Sequence, residues 1–159
     1  MTARFSDVGR EAVYAAEIAA FDGTSYESVT DFGELVALAE SVTTAPWWPQ
    51  GPVPVVRARV DARSSSTRQR GDARPVIRLA TAQMTPATVV HELAHVLAGV
   101  AAGHDGSFRR AHVDLAAIAF GESEATWLRE AYEAVGLDPG SRTWPEPPAR
   151  RDAGGAIAL

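Results

Sequence analysis

Between Thr85 and Ala102 an otherwise apolar run is interrupted by His91, Glu92 and His95, which stand among Val89, Val90, Leu93, Ala94, Val96 and Leu97. Thr85-Pro86 marks a helix start, since threonine accepts from a first-turn N–H and proline at the first helical position gives up no hydrogen bond. Gly103 is the expected stop, because glycine takes the left-handed conformation that commonly ends a helix. A helix of this composition is buried on several sides, and ionisable groups buried without partners cost several kcal/mol. The fold must therefore supply partners for His91, Glu92 and His95, which constrains the chain more than any other feature.

The spacing suggests what such partners are for. Residues i and i+4 share one helix face, so His91 and His95 can direct ring nitrogens at one ion, about 2.0–2.1 Å from each for zinc. Glu92, one step round the helix, is placed to accept a proton from water at the metal rather than to ligate it. The competing reading makes His91 and His95 hydrogen-bonded core histidines and Glu92 an edge carboxylate. Three ionisable groups in one apolar helix favour the metal.

The sequence has no cysteine, so a disulfide framework, thiol catalysis and cysteine-ligated metal are excluded. A catalytic zinc usually takes three protein ligands, and only four histidines exist: His91, His95, His104 and His112. His104 lies nine residues after His95, just past Gly103, where a reversing chain can bring it back over the metal. The metzincin spacing needs histidine at position 101, which is Ala101. Glu122 and Glu124 remain alternative third ligands. His112 is expected either to line the cleft and donate to a substrate oxyanion or to be a satisfied histidine between helices. Asp105 and Asp114 are candidates for orienting a ligand imidazole, and Tyr132 for an oxyanion partner or simple packing.

The rest of the chain reads as an α+β domain with a small antiparallel or mixed sheet packed against helices. Helices are expected over Asp7–Phe21, with Val8, Ala12, Ala15, Ala16 and Ala19 on its inner face, after a Thr30 or Asp31 cap, from Ser107 to Gly121, and over Glu122–Val135. Val53–Asp61 alternates as a strand with Val56, Ala58 and Val60 inward, and Pro75–Thr81 is a second strand with Ile77 and Leu79 inward. Arg63–Asp72 is polar, with Arg70-Gly71-Asp72 offering a turn, and Trp47 and Trp48 pack onto the domain from a proline-rich connection. A single domain spans residues 1–137, followed by a flexible C-terminal tail over 138–159, where proline, glycine and arginine dominate.

The pattern His91-Glu-Leu-Ala-His95, eight residues, His104, then Phe108 resembles the small HExxH metallohydrolases of zincin type. It is similar to SprT-like metallopeptidase domains, and most to a family of small metallohydrolases of actinobacteria and their phages, from Tyr14-Ala-Ala-Glu17 through Val135. Asp105 stands where glycine usually follows the third histidine, while the spacing to Phe108 is kept. The resemblance implies a zincin-like fold whose metal helix lies behind a small sheet, with Pro75–Thr81 bordering the cleft and pairing with an extended peptide.

Zinc-dependent cleavage of a peptide or related amide bond is the leading expectation, with His91, His95 and His104 as ligands and Glu92 as general base. The alternative is a non-catalytic zinc-fold module that binds a protein or nucleic acid. Arg57, Arg59, Arg63, Arg68, Arg70, Arg74 and Arg78 could meet phosphate, but the net charge of -5 argues against general nucleic-acid coating. The charged amino terminus and the lack of a long apolar run predict a cytoplasmic protein with no membrane partner.

Overall fold

The structure is a computed structural model and describes Asp7 and residues 9–149. Its architecture is α+β: the described residues form five α-helices and a three-stranded mixed sheet packed against α3, the helix over Pro86–Ala98. The elements are α1 (Arg10–Phe21), α2 (Phe32–Thr43), β1 (Val55–Arg57), β2 (Ser66–Arg68), β3 (Val76–Leu79), α3 (Pro86–Ala98), α4 (Gly106–Ala119) and α5 (Glu122–Ala134). No helix among the described residues is long and apolar enough to cross a membrane.

β3 occupies the centre of the sheet, parallel to β1 and antiparallel to β2. Ile77 and Leu79 are buried as their alternation requires. The phase of β1 differs from the sequence expectation: Val53 is buried and Val55 half-buried, whereas Val56 and Val60 are exposed. Pairing explains the difference, because Val55 stands opposite Ile77 and so shares its core-facing side. A slip of one residue turns every side chain over. The polar stretch ahead of the turn at Gly71-Asp72 supplies β2, which the sequence reading did not assign and whose Thr67 stands opposite Ile77.

α3 is the central helix. It packs on α4 and α2 and against β2, while α5 packs on both α1 and α4. Asp31 caps α2 by accepting from Gly33 N. α1 turns a different face inward from the alanine stripe: Val13, Ala16, Glu17 and Phe21 are buried, while Ala15 and Ala19 are exposed. Bulky Val13 and Phe21 remove more apolar area from water than alanines do, so they set the rotation. That rotation also carries Glu17 into the interior. Val8, expected on the inner face, lies outside the described residues.

Of the stretch read as a tail, residues 138–144 lie along α4. Arg109 Nε donates to Asp138 O at 2.8 Å and Arg110 Nε to Gly140 O at 2.7 Å. Arg142 holds Asp114 through two bonds of 2.7 and 2.9 Å, and buried Trp144 donates to the same carboxylate at 3.0 Å. Side-chain anchors of this kind hold a segment that its proline and glycine content leaves without regular structure. Residues 150–159 lie outside the described residues.

Candidate metal centre

The path of the chain brings the three histidines together. Thr85 caps α3 by accepting from Thr88 N at 3.2 Å, with Pro86 in the first turn. The helix ends earlier than Gly103, at Gly99 (φ 96), and a short 3-10 turn over Val100–Ala102 follows. Gly103 (φ 60) then reverses the chain; a Cβ there would come within 3.2 Å of Asp7 Oδ1. His104 is thereby folded back over α3. Asp105 rather than Ser107 caps α4, accepting from Phe108 N at 3.1 Å. Phe108, fully buried in the first turn of α4, forms an apolar floor with its ring centroid 5.0, 4.5 and 4.7 Å from those of His91, His95 and His104.

His91, His95 and His104 each offer one nitrogen within 4.8 Å of the others. His91 Nε2 and His104 Nε2 are 3.2 Å apart. A tetrahedral zinc with bonds of about 2.0–2.1 Å would set its ligand atoms about 3.3–3.4 Å apart. The other nitrogens of those two rings are taken by carboxylates. His91 Nδ1 lies 3.0 Å from Glu17 Oε2, and His104 Nδ1 lies 2.5 Å from Asp7 Oδ2. Asp7 Oδ1 also accepts the His104 backbone N–H at 3.2 Å. With both Nδ1–H groups donated to carboxylates, two neutral rings leave bare Nε2 lone pairs facing each other. A cation between them, a proton or a metal ion, relieves that repulsion, as does a tautomer with its hydrogen on one Nε2, which then donates to the other.

The electrostatics follow burial and these pairings. Burial pushes His95 down to about 3, helped by the neighbouring His91, His104 and His112. His104 is also lowered by burial, against the opposing hydrogen bond of Asp7. Burial would lower His91 too, but the charge and hydrogen bond of Glu17 outweigh it and raise its pKa. Glu17 is correspondingly lowered: the charge of His91 and its hydrogen bond overcome the penalty of burial. Burial raises Glu92, against the pull of His91 and Thr67.

Glu92, only 5% exposed, is held from β2: Thr67 Oγ1 donates to its Oε2 at 2.6 Å and lies 3.0 Å from its backbone oxygen. Tyr14 stacks on His91 with ring centroids 5.3 Å apart and planes within 7°, and Arg10 lies 5.6 Å from the tyrosine centroid. Two clefts, each about 270 Å³, share Tyr14, Ser65 and Glu92. One runs past Ile18, Glu27 and Val29, and the other past Asp7, Arg10, Thr67, His95 and His104.

Of the candidate third ligands, His104 joins His91 and His95, whereas neither Glu122 nor Glu124 does. Glu124 accepts from Tyr26 Oη at 3.0 Å, and Glu122 is exposed at the start of α5. Asp105 serves as a cap and Asp114 binds Arg142 and Trp144, so the carboxylates on the candidate ligand imidazoles are Glu17 and Asp7 instead. His112 is fully buried behind His91 rather than lining either cleft, and Tyr132 Oη lies 2.6 Å from its Nδ1. β2 lies beside the cleft, whereas β3, the strand expected there, is the central one. Sequence reasoning missed Asp7, Tyr14, Glu17 and Thr67. Only Glu17 left a trace, as a carboxylate four residues from both Val13 and Phe21 on their shared helix face.

Comparison with known proteins gives no match: no protein-family model, curated protein or solved structure matches the chain.

Proposed function

We propose that this chain is a zinc-dependent metallohydrolase of zincin type that cleaves a peptide or related amide bond, with His91, His95 and His104 as ligands and Glu92 as general base. The observation that carries the reading is the pair of Nε2 atoms 3.2 Å apart, each on a ring whose Nδ1 is taken by a carboxylate. A cluster of three imidazoles suits zinc, a borderline-soft ion that neutral imidazole binds well. Zinc bound there would polarise a substrate carbonyl and bring the pKa of water down towards about 7.

The protein's own groups supply the remaining chemistry. Glu92 accepts a proton from the attacking water and passes it to the leaving amine. Its raised pKa suits a group that must both take and return a proton. Thr67 holds one carboxylate oxygen through its hydroxyl and leaves the other for the water. Two clefts meeting at Glu92 and Tyr14 favour an extended substrate, with residues on either side of the cleaved bond. Strand β2, paired on one side only, is available to align its backbone.

The test is metal content together with peptidase and amidase assays on wild-type protein and on Glu92→Gln and Thr67→Val. One zinc per chain is expected in all three. Turnover should fall about 10²–10⁴-fold in Glu92→Gln and about tenfold in Thr67→Val, the value of one hydrogen bond. Zinc uptake with no turnover on any substrate would favour a non-catalytic module. Equal turnover in wild type and Glu92→Gln would contradict the role given to Glu92.

A further inference from the structure

His112 carries an unexplained feature. It is fully buried on α4, its Nδ1 lies 2.6 Å from Tyr132 Oη on α5, and its Nε2 has no hydrogen-bond partner. Buried polar atoms are rarely left unmade. The nearest acid atom to that nitrogen is Glu17 Oε1 on α1, at 3.9 Å. The other oxygen of the same carboxylate lies 3.0 Å from His91 Nδ1. Four helices thus contribute one line of polar groups: Tyr132, His112, Glu17, His91.

The direction of the hydrogen bonds along this line is determined by chemistry. Burial raises Tyr132 well above the ordinary tyrosine value, so its hydroxyl keeps its proton. His112 is fully buried and no carboxylate oxygen lies within hydrogen-bond distance of it, so the ring is neutral with one N–H. If Nδ1 carried that hydrogen, a bare Nε2 lone pair would face the Glu17 carboxylate. If Tyr132 donates to Nδ1, the hydrogen sits on Nε2 and points its positive end towards Glu17. The second arrangement satisfies the tyrosine proton and removes the repulsion. At 3.9 Å the pair lies beyond hydrogen-bond distance, so the Nε2–H acts on Glu17 as a dipole directed at the carboxylate across a buried gap.

Resting on the zinc site proposed above, we propose that Tyr132, His112 and Glu17 form one buried chain that positions His91, with His112 as the Nε2–H tautomer holding Glu17, and that this chain sets how tightly His91 binds the ion. Glu17 in turn keeps the proton of His91 on Nδ1 and leaves Nε2 free for the metal. Such outer partners orient a ligand ring, and their loss typically weakens metal binding about 10–100-fold. His112 and Tyr132 are positioning residues: neither lines the clefts that a substrate would enter.

Two readouts test the chain. The first is the imidazole ¹⁵N–¹H correlation spectrum of metal-free wild-type protein near neutral pH, which reports tautomers without any zinc. A protonated Nε2 and bare Nδ1 on His112 are expected, and the opposite tautomer overturns the proposal. The second is zinc affinity by competition with a chromophoric chelator, measured on variants shown by circular dichroism to be folded. His112→Phe should bind zinc about 10–100-fold more weakly. His112→Gln, whose amide N–H can take the place of Nε2–H, should recover most of that loss.

Tyr132→Phe is the companion variant should His112→Phe not fold; it removes the donor to Nδ1 and should shift the tautomer balance of His112. Wild-type affinity in folded His112→Phe, or an unchanged tautomer in Tyr132→Phe, overturns the chain. Two zinc ions per wild-type chain would also overturn it, by making Glu17, His91 and His112 a second metal site. A folded wild type that takes up no zinc overturns the proposed function and the affinity half of this inference. The tautomer spectrum then separates the two failures.

Discussion

His91 and His104 present the same chemistry in two settings. Each has a carboxylate on Nδ1 and turns Nε2 towards the other. The side chain of Glu17 is 9% exposed and fixed on α1, whereas that of Asp7 is 34% exposed and precedes the helix. A buried carboxylate interacts through a low dielectric and has no water to compete with it, so the pairing is strong and rigid. An exposed one is screened and exchanges with water. His91 is therefore the anchored side of the centre, and His104 the side closed by the path of the chain.

Glu17→Gln should cause the largest change, lowering zinc affinity about 10–100-fold, since an amide keeps the shape but removes the charge that fixes His91. Asp7→Asn should lower it less than about tenfold, because the amide oxygen can still accept from His104 and the lost charge was partly screened. Chelator competition on both variants measures the ratio. Equal losses would break the distinction between anchored and closed sides.

The metal-free protein offers a subtler test through pH. Unfolded histidines titrate near about 6.5, whereas in the fold burial brings His95 and His112 to about 3 and lowers His104. From about pH 6.5 downwards the unfolded chain therefore binds more protons than the native one, so stability falls as pH falls. Each such histidine contributes up to about 1.4 kcal/mol per pH unit. His91 acts in the opposite sense, but its raised pKa gives stability that is complete below the unfolded value and adds no slope there. Glu92, raised by burial, offsets part of the fall as it takes up its proton. Urea midpoints of chelator-treated protein should drop between about pH 6.5 and about 5; a flat profile would contradict neutral, buried His95 and His112.

The legible part of the centre was the part that lies within one stretch of chain. His91, Glu92 and His95 stand out because helical spacing and apolar neighbours are local properties, and His104 follows from a glycine reversal nearby. Glu17 and Asp7 reach the same imidazoles from 74 and 97 residues away, a pairing no local pattern can encode. Thr67 was hidden for another reason. β2 is three residues long and polar on both sides, so it lacks the alternation that marks a strand. In β1 the alternation was visible but its phase was not, because a three-residue strand takes its facing from its neighbour.

The central claim, one zinc held by three imidazoles, is tested most directly by X-ray absorption at the zinc edge on protein loaded with one equivalent of zinc. The account predicts three nitrogen neighbours with imidazole scattering at about 2.0–2.1 Å and one further light atom. Fewer than three imidazoles, or a folded chain that retains no zinc, would contradict it.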